Sequence, residues 1–294
     1  MVDSPRVARV IVVVMDGLRA DAPFLFDLPH LQRIARGGAA SFSAQTVSPS
    51  VTAAAMGSLL TGVRPIDHGL VTDRFRVPRP RVALQPLPRL LHAHGIATHA
   101  FLAALPLGYG VVARRLAAMV GVVNARFRGA GAMEILAEAQ RTLSRERSGL
   151  FLLHWPDADR AGHADGWTSR AYAVAVRRMD EALGKLDDAT AASADRDTLL
   201  VLMADHGGGG TLFRDHSSTH PRDRTIPLVL AGGTVLAGEL APLSSLLDVP
   251  ATIAWSMGVG APPDYAGRAL VEAFDTAPTD VMEPAQRYAS VAGR

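Results

Sequence analysis

Five apolar runs alternate with segments of helical period along this chain, and that alternation is the strongest constraint on its fold. The runs are Val7–Met15, Thr98–Ala103, Leu150–His154, Thr198–Ala204 and Ile226–Ala231. Each is almost continuously apolar, as strands covered on both faces are. Helical period appears at Leu28–Gly37, Thr52–Leu60, Leu87–His94, Ala132–Arg147, Ser169–Leu186 and Pro250–Met257. The order predicts an α/β fold, a three-layer αβα sandwich around a mostly parallel sheet. Gly37 and Gly95 follow helical segments, where left-handed caps belong. The chain reads as a single domain, 1–294. Within it, 74–131 is a small substrate-specificity excursion that opens on the Pro- and Arg-rich stretch Arg74–Pro88, and 275–294 is a loosely packed, aperiodic tail.

Composition narrows the chemistry. Apolar residues make up 48% and charged residues 20%, the balance of a globule that can bury a core without staples. Cysteine is absent, so disulfides and thiolate metal sites are excluded, and any metal must sit on His, Asp, Glu or a hydroxyl. No stretch approaches the length of an apolar membrane span, and the N-terminal run is too short for a signal core. A cytoplasmic location is the expectation, with neither a membrane nor nucleic acid as partner. Net charge is only +2, and the basic residues carry no aromatic interleaving.

The polar residues of interest fall where the strands end. Asp16-Gly17 closes the first run, Asp157 and Asp159 follow the third, and Asp205-His206 close the fourth before four glycines. In an open α/β sheet that carboxyl rim is where ligands bind. Asp159 and His163 are spaced i, i+4, so one helical turn can aim both at one cation. Asp157 competes with Asp159 but lacks that spacing. His216 and His220 lie in a polar loop, and solvated surface histidines are common there. Thr52 opens an Ala-rich helix ending at Thr61-Gly62. It reads either as a cap or as a nucleophile at a helix N-terminus, where free N–H groups favour anions.

In this order the motifs resemble the alkaline phosphatase superfamily, closest to its type I phosphodiesterase/nucleotide pyrophosphatase and sulfatase-like branches. The resemblance spans Val7 to Val271. It rests on the strand ending in Asp16-Gly17, the helix Thr52–Gly62, R-P-x-x-H-G at Arg64–Gly69, D-x-x-x-H at Asp159–His163, A-D-H-G at Ala204–Gly207, and D-V-P-A-T-I at Asp248–Ile253. It implies two divalent ions, usually zinc, with manganese or iron as alternatives. One would take Asp16, Thr52, Asp205 and His206; the other Asp159, His163 and His216, with His220 as runner-up. Thr52 would attack phosphorus and carry the phosphoryl group.

A small-molecule phosphoester is the implied substrate. Sulfatases of the superfamily need an oxidised Cys or Ser, which Thr52 cannot supply. Nucleotide pyrophosphatase relatives carry an asparagine where this chain has Asp73, beside Arg74, so both are candidate substrate-binding residues and a nucleotide diester fits less well. The resemblance leaves phosphomonoester and phosphodiester open. The alternatives are a metal-dependent phosphomutase, a sulfate or phosphonate ester hydrolase, and a non-catalytic phospho-ligand-binding relative.

Overall fold

The computed structural model describes residues 4–74, 78–106 and 108–275. Most of the tail expected from 275 onward lies outside the described residues, as does Arg76. Eight strands form one sheet: β1 (Arg9–Met15), β2 (Ala39–Gln45), β3 (Thr98–Leu102), β4 (Asn124–Phe127), β5 (Gly149–Trp155), β6 (Thr198–Met203), β7 (Thr225–Gly232) and β8 (Gly238–Glu239). Their order is β4-β3-β5-β1-β6-β7-β2-β8. β7 runs antiparallel to both its neighbours, and every other pairing is parallel.

The central strands are the expected apolar runs. β1, β5 and β6 are buried along their whole length. Helices cover both faces of the sheet. Pro29–Gly37, Ala132–Arg145, Asp157–Asp165 and Arg170–Thr190 pack together on one side, and Thr52–Thr61, Leu87–Ala93 and Asp248–Ser256 on the other. The three-layer α/β sandwich is therefore the fold. The stretch 74–131 supplies β3 and β4 to one sheet edge, together with the helix Tyr109–Met119.

Gly95 adopts the expected left-handed conformation (φ 75°). Gly37 does not: it is the last helical residue, and Gly38 leaves in extended backbone. Extended Gly38 lies against β7, where an added Cβ would stand 2.1 Å from the Leu230 carbonyl oxygen. Close approach accounts for Gly38, whereas a Cβ on Gly37 would meet nothing within 4 Å.

The parallel register aligns the strand ends. Met15 sits opposite Trp155, and Val14 opposite Met203. Asp16, the turn after Trp155 and Asp205 therefore leave the sheet at one rim.

Candidate two-metal centre

Thr52 is the first residue of its helix, and Val51 is the cap. The cap residue offers no side-chain hydrogen bond, and the Thr52 hydroxyl is not spent on capping. The Thr52 Oγ1 lies 3.1 Å from Nε2 of His206. The same nitrogen is 3.4 Å from Asp16 Oδ1 and 3.6 Å from Asp205 Oδ2. A cation held tetrahedrally at 2.0–2.1 Å has ligand atoms about 3.3–3.4 Å apart. Spacings of 3.1, 3.4 and 3.6 Å bracket that edge.

The second group has three members. His163 Nε2 and His216 Nε2 lie 3.3 Å and 3.7 Å from Asp159 Oδ1, and 3.1 Å from each other. Three protein donors with a fourth position open are the arrangement of catalytic metal sites. The groups abut: the His206 and His216 rings stack in parallel, with centroids 3.7 Å apart.

Each imidazole is aimed by its other nitrogen. Nδ1 of His206 meets the Gly207 carbonyl at 2.9 Å, that of His163 the Arg214 carbonyl at 2.9 Å, and that of His216 the Ser50 carbonyl at 2.7 Å. A carbonyl only accepts, so every Nδ1 carries the hydrogen and every Nε2 presents its lone pair to the centre. Burial lowers the pKa of His216, which favours the neutral, ligating form.

The carboxylates show the complementary need. Asp16 Oδ1, Asp159 Oδ1 and Asp205 Oδ2 are buried yet have no hydrogen-bond partner. Such atoms are costly unless a cation satisfies them. Burial, then the charges of Asp205 and Asp159, push the Asp16 carboxyl well above its usual range. The other Asp205 oxygen is occupied, accepting from the backbone of Gly17 (3.2 Å) and His206 (2.9 Å). Three carboxylates with buried, unpartnered oxygens and three imidazoles beside one hydroxyl are a donor set that fits a pair of divalent ions.

Gly17 makes the convergence possible. Its φ is +72°, and a Cβ there would stand 2.7 Å from the Asp159 Cα. The Asp16 turn and the Asp157–Asp165 helix thus touch backbone to backbone, sealed by Asp159 N–H donating to the Asp16 carbonyl at 3.0 Å.

All seven residues expected in the centre meet there, and the two competitors lie elsewhere. Asp157 accepts from the Ala132 N–H (2.8 Å), at the start of another helix. His220 caps the short helix Pro221–Arg224 through Nδ1. Asp73 does approach the centre: its Oδ1 accepts from the Ala53 N–H at 2.8 Å, one residue from Thr52. The Arg74 side chain is exposed. A cavity of about 790 Å³, between the helix Pro29–Gly37 and β2, contains none of these residues, so donor chemistry marks the site.

Three supporting residues went unread in the sequence. His154 is buried in β5 with Nε2 3.5 Å from Asp16 Oδ2. It closes the apolar run Leu150–His154, and nothing in that run distinguishes it from a core position. Trp167 and Tyr172 both donate to the Gly17 carbonyl, at 3.0 and 3.1 Å. Trp167 also packs against the rings of His163 and His216. Nothing in their sequence context marks them; a motif search would have needed the fold.

Comparison with known proteins follows the same lines. The profile of the type I phosphodiesterase / nucleotide pyrophosphatase family matches residues 10–85 and 111–224. Among curated proteins, the catalytic subunit of human GPI ethanolamine phosphate transferase 2 is 24% identical over 296 residues. That match takes in 93% of this chain but only 29% of the transferase. Among solved structures, a 2-O glycosaminoglycan sulfatase superposes with a TM-score of 0.71 at 13% identity, over 91% of this chain and 74% of the sulfatase. Murine ectonucleotide pyrophosphatase / phosphodiesterase 5, solved as an inactive threonine-to-alanine variant with AMP, gives 0.67 at 14% identity, over 86% of this chain and 96% of that one. At these identities the superpositions speak for the fold alone.

Proposed function

This chain belongs to the type I phosphodiesterase / nucleotide pyrophosphatase family, and we propose that it is a two-metal hydrolase cleaving phosphoester bonds through a phosphorylated Thr52. The observation that carries the reading is the convergence of three unpartnered buried carboxylate oxygens and three Nε2 lone pairs around the Thr52 hydroxyl. Asp16, Thr52, Asp205 and His206 would hold one divalent ion, and Asp159, His163 and His216 the other. Zinc suits this imidazole-carboxylate set, and manganese or iron could replace it.

When bound, the ions would supply a lowered hydroxyl pKa and neutralise charge on the departing oxygen. The chain does the rest. Thr52 Oγ, fixed at the helix start, attacks phosphorus in line as the ester oxygen leaves opposite. The Oγ proton passes to solvent, a phosphothreonine forms as the P–O ester bond breaks, and the departing oxygen takes a proton from solvent to leave as the alcohol. Water then displaces Thr52 from phosphorus. The Ala53 N–H, at the helix N-terminus, can donate to a non-bridging oxygen once Asp73 yields it. Arg74, next to Asp73 in the chain and exposed, is the candidate cation for the same phosphoryl group.

A transfer reading is favoured by the relationship to the human ethanolamine phosphate transferase, which runs over 93% of this chain. In it an alcohol replaces water in the second step. Metal-loaded protein incubated with p-nitrophenyl phosphate and bis-p-nitrophenyl phosphate tests both. Turnover of either that Thr52→Ala abolishes supports the proposal, and an alkylated phosphate product formed in added alcohol identifies transfer. A protein holding two ions that turns over neither ester is a binding protein instead.

A further inference from the structure

Charge is distributed unevenly along the chain. From Arg74 to Met133 there are nine arginines and no aspartate or glutamate. The last part of this stretch builds the β4 edge of the sheet with the helix Tyr109–Met119, a helix without a single buried residue. Its small residues Ala113 and Ala117 lie inward. Tyr109, Val112, Leu116 and Met119 follow the i, i+3, i+7, i+10 spacing of one helical face, and all are more than half exposed. Arginines lie near that stripe: Arg115 borders it, while Arg114 falls on the far side of the helix at about 100° per residue. Arg114 and Arg115 are on the helix, Arg126 and Arg128 are on and after the adjoining strand, and Arg89 donates to the Met119 carbonyl. Among the described residues, the one carboxylate paired with them is Glu138, 3.8 Å from Arg126.

We infer that this edge docks on an anionic lipid bilayer, with the helix Tyr109–Met119 lying in the interface, its apolar stripe against the acyl boundary and its arginines on lipid phosphates. Interfacial helices combine those two features. A nucleic acid would use the arginines but leave four apolar side chains in water without purpose. A second copy of the chain would bring two arginine-rich faces together, and like charges repel. Among the described residues no helix is long and apolar enough to cross a membrane. Interfacial binding needs no such helix, so this proposal departs from the expectation of no membrane partner. The segment leaves β3 at the same carboxyl rim that carries the candidate centre, so a docked molecule would present that rim beside the bilayer.

The absence of native cysteine makes the test direct. Leu116→Cys carries an environment-sensitive fluorophore, and Leu236→Cys, half exposed beyond β7 toward the opposite sheet edge, serves as control. Each is titrated with vesicles of phosphatidylcholine alone or mixed equally with phosphatidylglycerol. The fluorophore at 116 should brighten and shift to the blue only with the anionic vesicles, and the one at 236 should not respond. Adding Arg114→Glu and Arg115→Glu should weaken partitioning by more than about tenfold. The inference is overturned if the probe at 116 stays in water with anionic vesicles, responds equally to neutral ones, or is indifferent to the charge reversals. No readout depends on catalysis, so failure here leaves the hydrolase proposal standing, and the reverse.

Discussion

The rings of His206 and His216 stack in parallel at 3.7 Å, although one side chain belongs to the first donor group and the other to the second. Two neutral imidazoles can lie face to face in this way with both Nε2 atoms turned to the centre. The stack couples the groups: a change that tilts either ring disturbs both. His216→Ala should therefore lower metal content by more than one ion's share. Elemental analysis of the purified variant checks this, and clean loss of a single ion would show the groups to be independent.

Thr52 is expected to be indispensable. Thr52→Ala should reduce kcat by about 10³-fold or more, because the attacking atom is gone. Thr52→Ser should retain measurable activity, since it keeps the hydroxyl. Steady-state assays with an aryl phosphoester decide it, and near-normal kcat in the alanine variant would remove Thr52 from the chemistry.

Asp73 is expected to compete with substrate. Its carboxylate takes the Ala53 N–H that a phosphoryl oxygen would use. A charge a few ångströms away in a water-exposed site is worth about 1 kcal/mol. Asp73→Asn should therefore lower KM for a phosphodiester roughly fivefold. A raised KM would mean that the carboxylate assists binding, for example by pairing with a cationic group on the substrate.

Trp167 holds the centre from behind. It donates to the Gly17 carbonyl and packs on two histidine rings. Trp167→Phe removes the donor and keeps the packing. Loss of an outer hydrogen bond of this kind typically weakens metal affinity about 10- to 100-fold. A competition titration against a chelator measures it, and an unchanged affinity would confine Trp167 to packing.

Stability should fall on acidification through His68. Its Nδ1 accepts from the Leu70 N–H (3.1 Å), so Nε2 carries the hydrogen toward Ser58 Oγ (3.0 Å), inside the helix that begins at Thr52. Burial lowers its pKa. Below about pH 6.5 the unfolded chain takes up a proton that the folded chain refuses, so the unfolded state gains. This loss is absent above about pH 6.5 and grows until the folded pKa is reached. Thermal melting of metal-free protein should thus decline between about pH 7 and 5, and the decline should be shallower in His68→Gln. Parallel curves for the two proteins would contradict the assignment.

The sheet interior was readable because strands buried on both faces must be continuously apolar, as β1, β5 and β6 are. β2 (AASFSAQ) and β4 (NARF) were not, since half-exposed edge-side strands need no such run. The helix Tyr109–Met119 escaped for the opposite reason: with nothing buried, its sequence had no core-facing pattern to show. Of the candidate centre, Asp16, Asp159, Asp205 and His206 were visible at strand ends, His163 through its spacing from Asp159 and Thr52 at a helix start, whereas His216 was singled out only by the family resemblance. His154, Trp167 and Tyr172 were hidden because their roles arise only when distant segments pack, and an apolar neighbourhood disguises a buried imidazole or indole as core.

Anomalous diffraction from crystals grown with zinc tests the central claim most directly. The account predicts two peaks about 4 Å apart. One should be bonded to Asp16, Thr52, Asp205 and His206, and the other to Asp159, His163 and His216. A single peak, or peaks away from the Thr52 hydroxyl, would contradict it.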